Sequence, residues 1–193
     1  SMASDLKNLG SPIGRDDLAR HRARIVAPLS VATSAGTLYN MPPPTQGLAS
    51  LLILALFDRL ERPKAESAEY VHLLLEATKA AFRVRDSHIC DPDYMTVSAE
   101  DFTSNSALSQ MASDIDREIA TPWPSPMRGG DTVWLGAADS EGCVVSFIQS
   151  IYWEFGSGTV LENTGIMWQN RGSSFTLDPA HHNSLKPHRR PFQ

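Results

Sequence analysis

Residues 129–158 read Gly129-Gly-Asp-Thr-Val-Trp-Leu-Gly-Ala-Ala-Asp-Ser-Glu-Gly-Cys-Val-Val-Ser-Phe-Ile-Gln-Ser-Ile-Tyr-Trp-Glu-Phe-Gly-Ser-Gly158. Two short, mostly apolar arms, Thr132 to Asp139 and Cys143 to Ile151, flank Ser140-Glu141-Gly142. A three-residue loop ending in glycine suits a hairpin with a left-handed residue at its bulge. That loop sets the register. If Asp139 faces Cys143, stepping outward one residue at a time on each arm brings Thr132 opposite Ser150. Directly opposed residues of an antiparallel pair share a face, with Cβ atoms about 4.5–5.5 Å apart. The spacing therefore predicts two hydroxyls side by side at the open end of a hairpin. Cross-strand hydroxyl pairs are also a common structural device, so the pattern alone leaves a purely structural role open.

Composition narrows the class. A chain of 193 residues can form a substantial core. It is 41% apolar and 20% charged, as in ordinary globular proteins. Its 22 acidic and 17 basic residues give a net charge of −5, with no long run of one sign to hold nucleic acid. Cys90 and Cys143 are too few for a disulfide framework or a metal knuckle. The apolar run Leu48–Leu60 is too short to span a bilayer. No secretory leader opens the chain, and Ser1-Met2-Ala3 reads as a cloning remnant.

Outward from the hairpin, the pattern predicts a short helix over 16–24 capped by Asp16 or Asp17. Strands follow over 25–33 and 37–41, and Pro42-Pro43-Pro44 forms a rigid connector. Thr45 is placed to cap an apolar helix running to about Leu60. A second helix, about 65–85, presents Val71, Leu74, Leu75, Thr78 and Phe82 on one face. Glu69, His72, Glu76, Lys79 and Arg83 then face solvent. Ser98 and Asp101 suggest a capping box for a helix carrying Leu108, Met111 and Ile115. Alternating Pro122, Pro124 and Pro126 predict an exposed, mobile linker into Thr132, and 165–169 a further strand. Asp114, Asp116 and Glu118 lack histidine partners and read as a wet helix face. The basic, histidine-bearing tail 181–190 reads as no metal site.

Several motifs together resemble the γ-glutamyltranspeptidase family, in the branch with the cephalosporin acylases. They are Gly130-Asp-Thr132, the Asp139-x-x-Gly142 turn, Gln149-Ser-Ile-Tyr-x-x-Phe-Gly-Ser-Gly158 and Gly165-Ile-x-x-Gln-Asn-Arg-Gly172. Further matches are Ala27-Pro28-Leu29, Pro42-Pro43-Pro44-Thr45-Gln46-Gly47, Glu76 through Phe82, and Arg85-Asp86. The likeness runs from about Gly14 to Phe192. It implies an α+β protein, part of the αββα sandwich of N-terminal-nucleophile hydrolases. It also implies a middle piece: 1–131 from the end of a large subunit, 132–193 from the start of a small one, both cut from one precursor.

The chemistry this implies is specific. A threonine hydroxyl needs a base, and a terminal threonine carries one in its α-amine, whose unperturbed pKa is about 7.7–8.0. Thr132 is internal, so the precursor must first cut itself between Asp131 and Thr132. The freed Thr132 would then attack a γ-glutamyl amide such as that of glutathione. Water or an amino acid would accept the acyl group, without metal or organic cofactor, nucleic acid or membrane. Ser150 matches a hydroxyl residue that orients the nucleophile. Tyr152, Arg171 and Ser174 depart from the family's usual asparagine, glutamine and substrate-binding aspartate. Losing that aspartate removes the partner of an α-ammonium, and Asn170 with Arg171 better suit an acyl group carrying only a carboxylate. Two alternatives remain: a glutaryl-acylase-like amidohydrolase and a non-catalytic, unprocessed binding module. The family's oxyanion-hole glycines and acyl-binding arginine lie outside this piece, so the 193-residue chain itself is expected to stay uncut and inactive.

Overall fold

The computed structural model describes residues 1–61, 63–123 and 132–192. The described residues of 1–25 and 127–173 form one compact unit, and those of 26–126 and 174–193 form another.

The second unit holds the larger core. Strands β1 (Leu29–Thr33) and β2 (Gly36–Asn40) pair antiparallel, with Leu29 opposite Asn40 and Thr33 opposite Gly36. The first strand starts at Leu29 because the chain before it is exposed, Ile25 fully so. Against this hairpin lies α3 (Gly47–Arg59), apolar almost all round and buried at Leu48, Leu51, Leu52, Ala55 and Leu56. Gln46 occupies its N-cap, but the Thr45 hydroxyl still accepts the Gly47 N–H at 3.1 Å. Gly47 is required there, since a Cβ would fall 2.0 Å from the Met41 carbonyl.

Helix α4 (Ala68–His88), capped by Ser67, packs on α3 with a different face from the expected one. Leu73, Glu76, Ala77 and Ala81 are buried, whereas Val71 and Leu75 are about half exposed at 48% and 53%. Small side chains at 77 and 81 let the two helices approach, and that geometry outranks the size of the apolar residues next door. Glu76 follows them inside because its charge is met. Lys79 Nζ lies 2.6 Å from Oε1, and the Thr121 N–H donates to Oε2 at 3.2 Å. Burial pushes its pKa up, but these bonds outweigh it and leave the carboxyl below its usual value.

The capping box at Ser98 and Asp101 is present, yet it opens only the five-residue α5 (Ala99–Thr103). Ser104 then caps α6 (Asn105–Ser113), which buries Leu108 and ends before Ile115. The Asp116 carboxylate bonds the N–H groups of Glu118 and Ile119, and its carbonyl meets His72 Nε2 at 2.9 Å.

In the first unit, α1 (Met2–Asn8) lies against β5 (Val160–Leu161), which pairs with β6 (Ile166–Met167). The latter is shorter than the strand expected over 165–169. Asp5, buried at the helix, accepts the Asn163 N–H at 3.1 Å. Helix α2 (Arg15–Arg20) ends four residues early, and Gly14 rather than an aspartate is its cap. Asp17 serves from inside, accepting the Gly14 N–H at 2.8 Å. The remaining pair, β3 (Val133–Ala138) with β4 (Val144–Gln149), carries the hydroxyls. No helix among the described residues is long and apolar enough to cross a membrane.

Candidate active site

The hairpin turn is fixed by Asp139. Its N–H bonds the Cys143 carbonyl at 3.0 Å, while its carboxylate accepts the N–H groups of Glu141 and Cys143, each at 2.9 Å. Gly142 completes the loop with φ +86°, a torsion that favours glycine. From that turn the register runs Ala138 opposite Val144 out to Val133 opposite Gln149. One step further, the Thr132 hydroxyl donates to Ser150 Oγ at 3.0 Å. The hydroxyl pair read from loop length is therefore present.

Ser150 Oγ also accepts the Tyr152 N–H at 2.9 Å. Beyond it the chain folds into a tight loop in which Tyr152 (φ +83°) and Phe155 (φ +59°) take left-handed torsions. Gly156 sits against Trp168, where a Cβ would fall 2.4 Å from the carbonyl oxygen. The Ser157 N–H and hydroxyl both donate to that carbonyl at 2.9 Å. Asn170 bonds the same loop twice: its N–H to the Ile151 carbonyl at 3.2 Å, and its Oδ1 from the Trp153 N–H at 3.1 Å.

Arg171 is half-buried, with its guanidinium carbon 5.7 Å from the centre of the Tyr152 ring. Burial lowers its pKa and Tyr152 opposes the shift. A guanidinium remains charged throughout the working range. Tyr152 and Trp153 stack, their centres 6.1 Å apart. Thus Thr132, Ser150, Tyr152, Asn170 and Arg171 all belong to one unit. Ser174 belongs to the other, where its hydroxyl donates to the Phe192 carbonyl at 2.7 Å and its own carbonyl accepts from Asn183 Nδ2 at 2.8 Å. Asp131 lies outside the described residues, as does the linker over 124–130. Among the described residues no cluster of histidine, cysteine and carboxylate side chains could hold a metal ion.

The sequence model of γ-glutamyltranspeptidase matches residues 1–193. The chain belongs to the γ-glutamyltranspeptidase family. It is 50% identical over 191 residues to the oxamate amidohydrolase proenzyme of Klebsiella pneumoniae, covering 99% of this chain and 36% of that protein. To a glutathione hydrolase-like proenzyme of Bacillus subtilis it is 38% identical, covering 99% of this chain and 37% of the relative. Its fold matches a cephalosporin acylase from Bacillus halodurans with a TM-score of 0.88 and 35% identity, over 100% of this chain and 35% of the other. The chain thus spans about a third of the relatives it matches, and its mixed helices and strands are those of the family's acylases and transpeptidases.

Proposed function

We propose that Thr132 is the nucleophile of a self-processing amidohydrolase, of which residues 1–131 form the end of the large subunit and 132–193 the start of the small one. The observation that carries this reading is the Thr132–Ser150 hydroxyl pair, 3.0 Å apart at the open end of the hairpin. In processing, Thr132 Oγ attacks the Asp131 carbonyl carbon. The C–O bond forms, the C–N bond breaks, and the hydroxyl proton passes to the departing nitrogen. Water then hydrolyses the ester, leaving an Asp131 carboxylate and a free Thr132 amine. In turnover that amine takes the Oγ proton as Oγ attacks the substrate amide, returns it to the leaving amine, and then activates water to release the acid. General-base assistance of this kind is worth about 10²–10⁴-fold.

Arg171 beside the Tyr152 ring favours an acyl group bearing a carboxylate, and in the sequence a serine stands at 174 in place of the family's substrate-binding aspartate, the partner of an α-ammonium. Oxamate, named in the Klebsiella relative, has that chemistry. The reading for γ-glutamyl donors rests on the glutathione hydrolase-like relative. Val133, Trp134, Leu135, Val144, Phe147 and Ile148 are exposed on both faces of the hairpin. Such a two-faced apolar pair suits an inner position in an αββα sandwich, covered in the whole protein.

The test uses the full-length precursor. Terminal sequencing should find a new N-terminus at Thr132, absent from Thr132→Ala, and kcat/KM should be higher for oxamate and a glutaryl anilide than for a γ-glutamyl anilide. An uncut chain of full activity overturns the mechanism, and a clear preference for the γ-glutamyl compound overturns the substrate. The 193-residue chain alone should stay uncut on prolonged incubation at neutral pH.

A further inference from the structure

Non-glycine residues rarely hold left-handed torsions unless their neighbours fix them, and such residues cluster at functional sites. Tyr152 is one, at φ +83°, two residues beyond Ser150. Its backbone N–H is what reaches Ser150 Oγ, at 2.9 Å. The residues on either side of it are both held by Asn170: Ile151 through its carbonyl, at 3.2 Å, and Trp153 through its N–H, at 3.1 Å. A single side chain and its own backbone therefore bracket the strained residue. With 151 and 153 fixed, the 151–152 peptide is fixed too, and its N–H is aimed at Ser150. Ser150 Oγ in turn accepts the Thr132 hydroxyl at 3.0 Å.

We propose that Asn170 is a positioning residue for the Thr132 hydroxyl, acting through the Tyr152 N–H and Ser150 rather than as a ligand of the acyl group. The inference rests on Thr132 being the nucleophile and assigns Asn170 a task different from that of its neighbour Arg171. The chemistry it needs is an acceptor at Oδ1, which takes the Trp153 N–H. The side-chain NH2, the group that would donate to a substrate carboxylate, is not required.

That difference makes the proposal testable with two substitutions. Asn170→Ala removes the acceptor. Asn170→Asp keeps it and removes the donors. In the processed full-length enzyme acting on oxamate, Asn170→Ala should lower kcat by about 10²-fold, the scale of a misplaced reacting group. KM should change far less than kcat. Asn170→Asp should recover most of the kcat loss. In a Ser150→Ala background, Asn170→Ala should add little, because both act on the same hydroxyl. A ligand role predicts the reverse: a raised KM, with Asn170→Asp at least as damaging as Asn170→Ala. That pattern, or full additivity with Ser150→Ala, overturns the proposal. Amide hydrogen exchange of the 193-residue chain reads the clamp without any turnover. The N–H groups of Tyr152 and Trp153 should exchange at least about tenfold faster in Asn170→Ala than in Asn170→Asp, and equal rates overturn it. If Thr132→Ala leaves activity intact, the nucleophile reading fails, and the exchange rates still decide whether Asn170 holds the loop.

Discussion

At the residue scale, one atom group controls how the loop beyond Ser150 can close. Gly156 has φ +55°, and the Trp168 carbonyl occupies the place where its Cβ would be. Gly156→Ala must therefore open the loop from 168–170 or distort it, at a cost of about 1–3 kcal/mol for the torsion alone. The Trp168 carbonyl would lose the Ser157 donors, and Asn170 would lose its purchase on Ile151 and Trp153. We expect Gly156→Ala to shift the urea midpoint downward and to accelerate exchange at Tyr152. An unshifted midpoint would show that the loop has slack the distances do not suggest. The hydroxyl pair was legible in the sequence because a hairpin's loop length fixes its register, and register is a matter of counting. The contacts of Asn170 were not. They join residues 17 and 19 positions apart through an irregular loop, and no periodicity announces an irregular loop.

Among elements, α4 shows how a helical pattern can name the right helix and the wrong face. Val71 and Leu75 look like core residues by type, yet the α4 residues that join the α3 leucines in the core are Ala77 and Ala81, and Leu73 and Glu76 are buried as well. A lone sequence cannot weigh close approach through alanines against bulk, nor foresee that Lys79 and Thr121 would make a buried carboxylate acceptable. That arrangement has a measurable consequence. Glu76 is 3% exposed, and its nearest cation is Lys79. Replacing Lys79 with methionine keeps the stem and removes the charge, leaving a buried anion with the neutral donors of Thr121 and without its cation. Breaking one side of such a pair costs about 3–5 kcal/mol when both partners are buried. Lys79 is 20% exposed, so the expected loss is at the lower end or below it, at pH 7. The double change Lys79→Met with Glu76→Gln should recover part of it, and thermal melts of the three proteins decide the point.

The segment that closes the second unit carries its own dependence on pH. His181 and His182 stack with centres 4.1 Å apart, and His181 Nδ1 accepts the N–H of the buried Asn183 at 3.0 Å. Burial lowers the pKa of His182, and the charges of His181 and His88 push it the same way, against Asp86 and the bond its ring donates to the Ile89 backbone. The folded protein therefore prefers a neutral His182. An unfolded histidine titrates near 6.5. Below that pH the unfolded chain binds the proton more readily, so stability falls as pH drops from about 6.5 toward the lowered folded value. His182→Asn removes this contribution and should flatten the stability profile between about pH 7 and pH 5.5. Urea titrations at several pH values check the slope; identical slopes would place the sensitivity elsewhere.

Across the whole molecule, chain order and spatial grouping do not coincide. Each compact unit contains residues from both sides of the Asp131–Thr132 bond: 1–25 join 127–173, and 174–193 join 26–126. In the first, Asp5 on α1 holds Asn163. In the second, the Arg190 guanidinium and backbone N–H converge on Asp91, which is 2% exposed, with Nη2 at 2.6 Å and the N–H at 2.8 Å. Arg189 lies 4.1 Å over the Tyr94 ring, and Phe192 packs on the core. Burial alone would raise the Asp91 pKa, but the bonds from Arg190 and from the Asp93 N–H outweigh it and hold the carboxyl below its usual range. Its contribution is thus present above about pH 3.9 and is lost as pH falls through the lowered folded value. A cut in the linker should then leave the two pieces joined, whether or not the cut is made by Thr132. A protease site inserted within 124–130 of the full-length Thr132→Ala precursor separates the two questions. After nicking, the pieces should elute together at pH 7. Asp91→Asn, which removes charge-assisted bonds worth about 1.5–3 kcal/mol, should lower the urea concentration at which they part. Pieces that fall apart at neutral pH without denaturant would mean that these contacts do not hold the molecule together once the chain is cut.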